Sequence, residues 1–262
     1  MAEVRPEMTP RGIDEPRCCS HICEDEKNEA RQIQLSLLPA QALRGPSFEI
    51  AYRFSPYGEV GGDFADFFHL PNGNAGLYVG DVVGKGLPAA MYAALVMGML
   101  RGIHKTGEDT ADALALLNKR LLVRPVVGRY SATLYALFDP ASRKLTFSNA
   151  GLPYPLLGSK SGCRALGHGG LPSGLLPESS YQLHSVELSP GDAVLFATDG
   201  LHELRDRQDR DFSWRRLSEI WSECAPKSAE ESLEFLLKEA KLFSEGGSQN
   251  DDITAVVLKL HP

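Results

Sequence analysis

Apolar residues along this chain recur in two rhythms. Between positions 25 and 38, Ala30, Ile33, Leu37 and Leu38 fall at helical intervals with Glu, Lys or Arg between them, and Pro39 closes the run. That spacing predicts an amphipathic helix over Asp25–Leu38, packed on its own domain or paired with a second copy. Helical periodicity returns over Pro88–His104, Thr110–Leu122, Ser213–Cys224 and Ala229–Phe243. Elsewhere the rhythm is that of strands. Phe48–Phe54 alternates apolar and polar, and Gly76–Asp81, Ala132–Phe138, Lys144–Ser148, Tyr181–Val186, Ala193–Thr198 and Ile253–Leu260 are short runs of β-branched, aromatic or aliphatic residues bounded by turn formers. Pro71–Asn74 and Pro140–Arg143 read as hairpin turns. Strands therefore come in hairpin-like pairs, which predicts antiparallel sheets with helices on their outer faces, not a doubly wound parallel sheet. No internal repeat is visible.

Composition adds a few limits. At 262 residues the chain is long enough for one sizeable domain with an appendage. Residues 1–24 mix Pro6, Pro10, Gly12 and Pro16 with charges and read as a disordered leader. Met1–Asp25 lacks the apolar centre of a signal peptide, and the apolar stretch Ala89–Leu100 is too short to span a bilayer. A net charge of −7 argues against binding nucleic acid or anionic membranes. Five cysteines (Cys18, Cys19, Cys23, Cys163 and Cys224) are an odd set for disulfides, which suits a reduced, cytoplasmic setting. Cys18, Cys19, His21 and Cys23 lack the distant second ligand pair of a zinc knuckle.

Candidate chemistry sits at strand ends. Four segments deliver an aspartate into a glycine-containing turn or an acidic pair: Gly61-Gly62-Asp63-Phe64, Gly80-Asp81-Val82-Val83-Gly84-Lys85-Gly86, Thr198-Asp199-Gly200 and Asn250-Asp251-Asp252-Ile253-Thr254. Any one of them alone is ordinary turn chemistry. Together they differ, because apolar strands run straight into the carboxylates. If those ends converge to about 5 Å, each pair repels by roughly 3 kcal/mol at an effective dielectric near 20. Such a cluster takes up protons or binds cations. An all-oxygen donor set selects hard divalent ions, Mg²⁺ or Mn²⁺ ahead of Ca²⁺, and four carboxylates suit a pair of them.

Gly-Gly-Asp-Phe, Gly-Asp-Val-x-Gly-Lys-Gly-Leu-Pro-Ala-Ala, Asn-Ala-Gly, Thr-Asp-Gly-x-x-Glu and Asp-Asp-Ile-Thr stand here in the order found in metal-dependent protein phosphatases. The chain resembles the bacterial branch typified by SpoIIE and RsbU, and Ala30–Gln34 with Leu37-Leu38-Pro39 is similar to that branch's linker helix. The resemblance implies an α+β fold of two packed antiparallel sheets flanked by helices (an αββα sandwich) over residues 43–262, after a linker helix at 25–42. It implies hydrolysis of phosphoserine or phosphothreonine on a partner protein by a metal-activated water, with two Mn²⁺ or Mg²⁺ ions. Asp63 would hold one metal, Asp81 would bridge both with the Val82 carbonyl as a further ligand, and Asp199 with Asp251 would hold the other, Asp252 being the alternative to Asp251. These aspartates would be the catalytic residues, acting through that water. Glu203 and Lys85 receive no metal role. Partners implied are a phosphoprotein substrate of the STAS anti-anti-sigma type and an activator or second copy on the linker helix, in stress-response signalling. The helix carrying Met91, Leu95 and Met99 would be a regulatory switch with those residues in the core.

One departure stands out. Leu152 occupies the place where that family usually has His after Asn-Ala-Gly, which puts the shape of this loop in question. A catalytically silent, phosphatase-like binding module is the alternative it leaves. A diguanylate cyclase, suggested by Gly-Gly-Asp-Phe alone, needs a second acidic residue where Phe64 stands. Specificity is expected in surface loops such as Ser159–Ser173 and Asp206–Phe212.

Overall fold

A computed structural model describes residues 24–106, 109–245, 247 and 249–262. The leader and Cys18, Cys19 and Cys23 lie outside the described residues. In chain order the elements are α1 (Glu24–Leu37), β1 (Leu43–Arg44), β2 (Phe48–Ser55), β3 (Phe64–His69), β4 (Ala75–Val82), α2 (Gly86–Ile103) and α3 (Thr110–Val123). There follow β5 (Ser131–Asp139), β6 (Lys144–Ala150), β7 (Leu156–Ser159), β8 (Gly162–Ala165), β9 (His184–Glu187), β10 (Ala193–Ala197), α4 (Trp214–Cys224), α5 (Ala229–Phe243) and β11 (Ile253–Leu260).

The strands form two antiparallel sheets, one ordered β1-β2-β11-β10-β7-β8 and the other β3-β4-β5-β6-β9. Their facing sides enclose one apolar layer that includes Phe48, Ile50, Phe67, Val79, Phe138, Phe147, Phe196 and Val256. Outside the first sheet, α4 and α5 pack Trp221, Leu233 and Leu236 against Ala193, Leu195 and Val257. Outside the second, α2 and α3 pack Val96, Leu100, Leu114 and Leu117 against Tyr78 and Tyr135. This is the expected αββα sandwich. β11 is buried at all eight positions, being central in its sheet and covered on both faces. That is why Ile253–Leu260 is nearly continuously apolar instead of alternating. Each such side chain, fully buried, contributes about 1.5–3 kcal/mol.

Helix starts follow local chemistry. Asp109 caps α3 by accepting from the Ala111 and Asp112 N–H groups, and Ser228 with Glu231 forms a capping box on α5. Helix α2 is long and apolar enough, by length and composition, to cross a membrane. Here its buried face joins the core through Ala89, Ala93, Val96, Met97 and Leu100.

Three features depart from the apolar pattern. Ile33, part of the expected stripe of α1, is 55% exposed, while Gln34 is the buried residue of that helix. The helix is docked by hydrogen bonds: Gln34 grips Gly61, and Arg101 at the end of α2 donates to the Leu37 carbonyl at 2.6 Å. Met91 and Leu95, expected in the core, lie on the exposed side of α2, with Met91 68% exposed. The region after Ser159 is not simply a loop, since β7 and β8 pair across a tight turn at the sheet edge.

Candidate metal centre

Register brings the acidic residues together. Phe64 pairs with Gly80, so Asp63, just ahead of β3, stands across from Asp81 near the end of β4. In the other sheet Ala197 pairs with Ala255, so Asp199, just past β10, and Asp251, just before β11, leave the same end of that pair. The two sheets are stitched there by Thr198, whose hydroxyl donates to Asp63 Oδ2 at 2.7 Å and accepts from the Thr254 N–H at 2.9 Å.

The electrostatics record the convergence. Burial raises the Asp81 pKa to about 7, helped by the negative charges of Asp199, Asp251 and Asp252. Asp63 is pushed well above the carboxylate range, first by burial and then by Asp81, with the Thr198 hydrogen bond opposing. Asp199 is raised by burial and by Asp251, with His202 opposing. Asp63 feels Asp81, and Asp81 feels Asp199, Asp251 and Asp252, so Asp81 sits electrically in the middle.

Asp252 is built differently. It is 3% exposed, and its carboxylate accepts from the N–H groups of Tyr57 at 2.7 Å, Gly62 at 2.6 Å and Asp63 at 3.4 Å. Those bonds hold the 57–63 loop and so aim Asp63. Gln34 closes the loop from the other side, donating to the Gly61 carbonyl at 2.7 Å and accepting from the Gly61 N–H at 3.1 Å. Gly61 is pressed against the Asp252 carboxylate, and a side chain at Gly62 would meet the Val82 carbonyl at 2.6 Å. Both glycines are needed for close approach. A side chain at Gly200 would likewise collide with the Asp252 carbonyl.

Among the described residues, no three acidic, histidine or cysteine side chains converge on one point with metal-ligand spacing. Asp63 and Asp252 are turned to protein donors, and Asp251 forms an ion pair with Lys85 at 3.1 Å. The donor set nevertheless fits hard divalent cations. It is all oxygen, rich in negative charge, strained by mutual repulsion, and lined by a carbonyl that glycine backbone approaches closely. Lys85 also donates to the Asn250 carbonyl and lies 4.8 Å over the Tyr57 ring, which ties the loop after β4 to the Asp251 turn. Glu203 is exposed, and its N–H donates to the Asp199 carbonyl.

Leu152 is buried in the layer between the sheets, 6% exposed. Asn149 holds its backbone from both sides, donating to the Leu152 carbonyl at 2.8 Å and accepting from its N–H at 2.9 Å. The departure at this position is therefore a packing residue in a fixed loop. Beside it an open cavity of about 590 Å³ is lined by Pro153, Tyr154, Asp199, His202 and Trp214 among others. A larger cavity, about 700 Å³, lies at Pro39–Arg44 with Asp66, His69 and Glu230. It contains none of the five aspartates at the centre, so volume alone does not mark the site. Gln34 and Asp252 as loop supports were not foreseen. A polar residue inside the apolar stripe of α1 was the only available signal for the first.

The description of the stage II sporulation protein E (SpoIIE) family matches residues 71–261. Protein IcfG of Synechocystis sp. (strain ATCC 27184 / PCC 6803 / Kazusa) is 28% identical over 262 residues, covering 89% of this chain and 41% of that protein. Phosphoserine phosphatase RsbU of Bacillus subtilis (strain 168) is 23% identical over 233 residues, covering 88% and 68%. This chain therefore spans about two fifths of the first relative. Among solved structures, the SiaA-PP2C domain of Pseudomonas aeruginosa superposes with a TM-score of 0.79 at 20% identity, covering 90% of this chain and 95% of that one.

Proposed function

The chain belongs to the SpoIIE family, and from that premise we propose that it is a two-metal protein phosphatase that hydrolyses phosphoserine or phosphothreonine on a partner protein. One observation carries the reading: the half-buried Asp81 carboxyl sits where the charges of Asp199, Asp251 and Asp252 converge, and burial with their charge raises its pKa to about 7. A site that holds protons this strongly is one that a divalent cation relieves.

In this reading Asp63, Asp81, Asp199 and Asp251, with the Val82 carbonyl, would hold the ions. Asp251 is favoured over Asp252 because both Asp252 oxygens already accept backbone N–H groups. The ions, Mn²⁺ or Mg²⁺, would supply a water of lowered pKa and neutralise charge on the phosphoryl oxygens. The chain's own residues do the positioning. Asp252 and Gln34 fix the loop that carries Asp63, Thr198 orients the Asp63 carboxyl, and Gly61 and Gly62 let the backbone pack against the Asp252 carboxylate and the Val82 carbonyl. The free thiols Cys163 and Cys224 need play no part, and burial holds the Cys224 thiol up at about 12. We place the domain in the cytoplasm, acting on a phosphorylated STAS-type regulator, with the exposed face of α1 meeting an activator or a second copy.

Hydrolysis of p-nitrophenyl phosphate with and without Mn²⁺, for wild type and Asp81→Asn, tests the reading. Metal-dependent turnover lost in the variant supports it. A wild type with no turnover at any metal concentration favours a silent binding module.

A further inference from the structure

The loop after α3 has a surface that the reaction does not use. Val123 is 76% exposed and Val127 is 99% exposed, with Val126 also in water. Beside them Leu175 and Leu176 are exposed as well. Asn118, buried within α3, ties this helix to the 174–176 loop: it donates to the Leu176 carbonyl at 3.0 Å and accepts from the Gly174 N–H at 2.7 Å. Five aliphatic side chains stand in water at the end of α3 and on the two loops beside it, and clustered apolar exposure marks an interaction surface.

This surface borders the acidic centre. Tyr130 accepts from the Val83 N–H at 3.2 Å, Arg129 donates to the Val83 carbonyl, and Ser131 pairs with Val82. Its local charge is also opposite in sign to the net charge of the chain. From Ala113 to Phe138 the sequence holds Lys119, Arg120, Arg124 and Arg129 and no acidic residue, in a protein of net charge −7. Lys119, Arg120 and Arg124 are exposed, and the nearest acid on the adjoining loop is Glu178.

We propose that this basic, aliphatic collar is the docking surface for the phosphoprotein substrate, and that the substrate presents an acidic face with aliphatic side chains next to its phosphoserine. The proposal rests on the phosphatase reading above and adds to it the chemistry of the partner. Positive charge beside the centre draws an acidic phosphoprotein in and sets its orientation. The valines and leucines supply the dry contact that a small phosphate ester never reaches. Specificity then lies mainly in 118–130 and 174–176, not in 206–212.

The test uses the whole chain, with the double variant Arg124→Glu/Val127→Asp, which alters only exposed side chains. Two probes are compared: p-nitrophenyl phosphate, and phosphorylated β-casein as an acidic phosphoserine protein. The variant is expected to lose about tenfold or more in kcat/KM on casein, mostly through KM, with the small ester unchanged. Raising salt should erode the wild-type rate on casein and leave the variant's nearly flat. Equal loss on both probes, or no loss on either, overturns the proposal. So does light scattering that finds a wild-type dimer and a monomeric variant, which assigns the surface to a second copy. A wild type inactive on both probes overturns the phosphatase reading itself.

Discussion

Replacing Asp81 by Asn should make the ion-free protein more stable while abolishing its response to divalent ions. The reason is linkage. In the fold, Asp81 keeps its proton up to about pH 7 instead of the ordinary 3.8. The native state therefore binds more protons than the unfolded chain between those values. The stability it contributes is fully present below about pH 4 and is lost as pH rises through 7. At about 1.4 kcal/mol per pH unit, the rise corresponds to roughly 4 kcal/mol at pH 8. Asp199, Asp251 and Asp252 share that repulsion, so removing one charge should recover about half, near 2 kcal/mol. For a domain of this size that is about 4–8 °C in Tm. Melting curves in EDTA at pH 8 and pH 5.5 provide the assay. The variant should melt higher at pH 8, and the gap should shrink to about half that size at pH 5.5. Adding Mn²⁺ at 100 times its Kd should raise wild type by about 2.7 kcal/mol and leave the variant in place, so the two curves cross. A variant that melts lower than wild type in EDTA at pH 8, or that gains as much from Mn²⁺, would refute the reasoning.

Other outcomes follow from the same geometry. Asp252→Ala strands the N–H groups of Tyr57, Gly62 and Asp63 and should cost about 2–3 kcal/mol. Asp251→Ala should melt within a few degrees of wild type in EDTA but bind Mn²⁺ far more weakly by calorimetry; the reverse pattern would assign the ligand to Asp252. Gln34→Ala removes both hydrogen bonds to Gly61 and should weaken the docking of α1 by about 1–2 kcal/mol, seen as faster amide exchange in α1 and at Gly61–Asp63. Unchanged exchange there would mean that Arg101 and Leu38 suffice. Mn²⁺ affinity of wild type should rise between pH 6 and pH 8 as the proton leaves Asp81, whose pKa is raised to about 7; calorimetry showing a flat profile would contradict that competition.

Much of this was legible in the residues. Ile253–Leu260 and Ala193–Thr198 read as buried strands, and the aspartates at strand ends made convergence a supposition that periodicity alone could not decide. Antiparallel sheets with helices outside followed from the paired strands, and the αββα layering from the family resemblance. What escaped notice depends on contacts far apart in sequence. Gln34 reaches Gly61, Asp252 reaches Tyr57 and Gly62, and Lys85 reaches Asp251; no periodicity encodes such pairs. Leu156–Ser159 and Gly162–Ala165 are too short for alternation to register. Tyr181–Val186 pairs only from His184, and the Tyr181 hydroxyl shares a hydrogen bond with Ser173. Ile33 and Met91 read as core because apolar spacing alone does not distinguish a face packed at home from one left for a partner.

The count of divalent ions bound per chain, by equilibrium dialysis with Mn²⁺ at pH 8, tests the central claim most directly. The account predicts two for wild type and fewer than one for Asp81→Asn, since that residue would serve both ions. Binding of none by wild type, or of two by the variant, would contradict it.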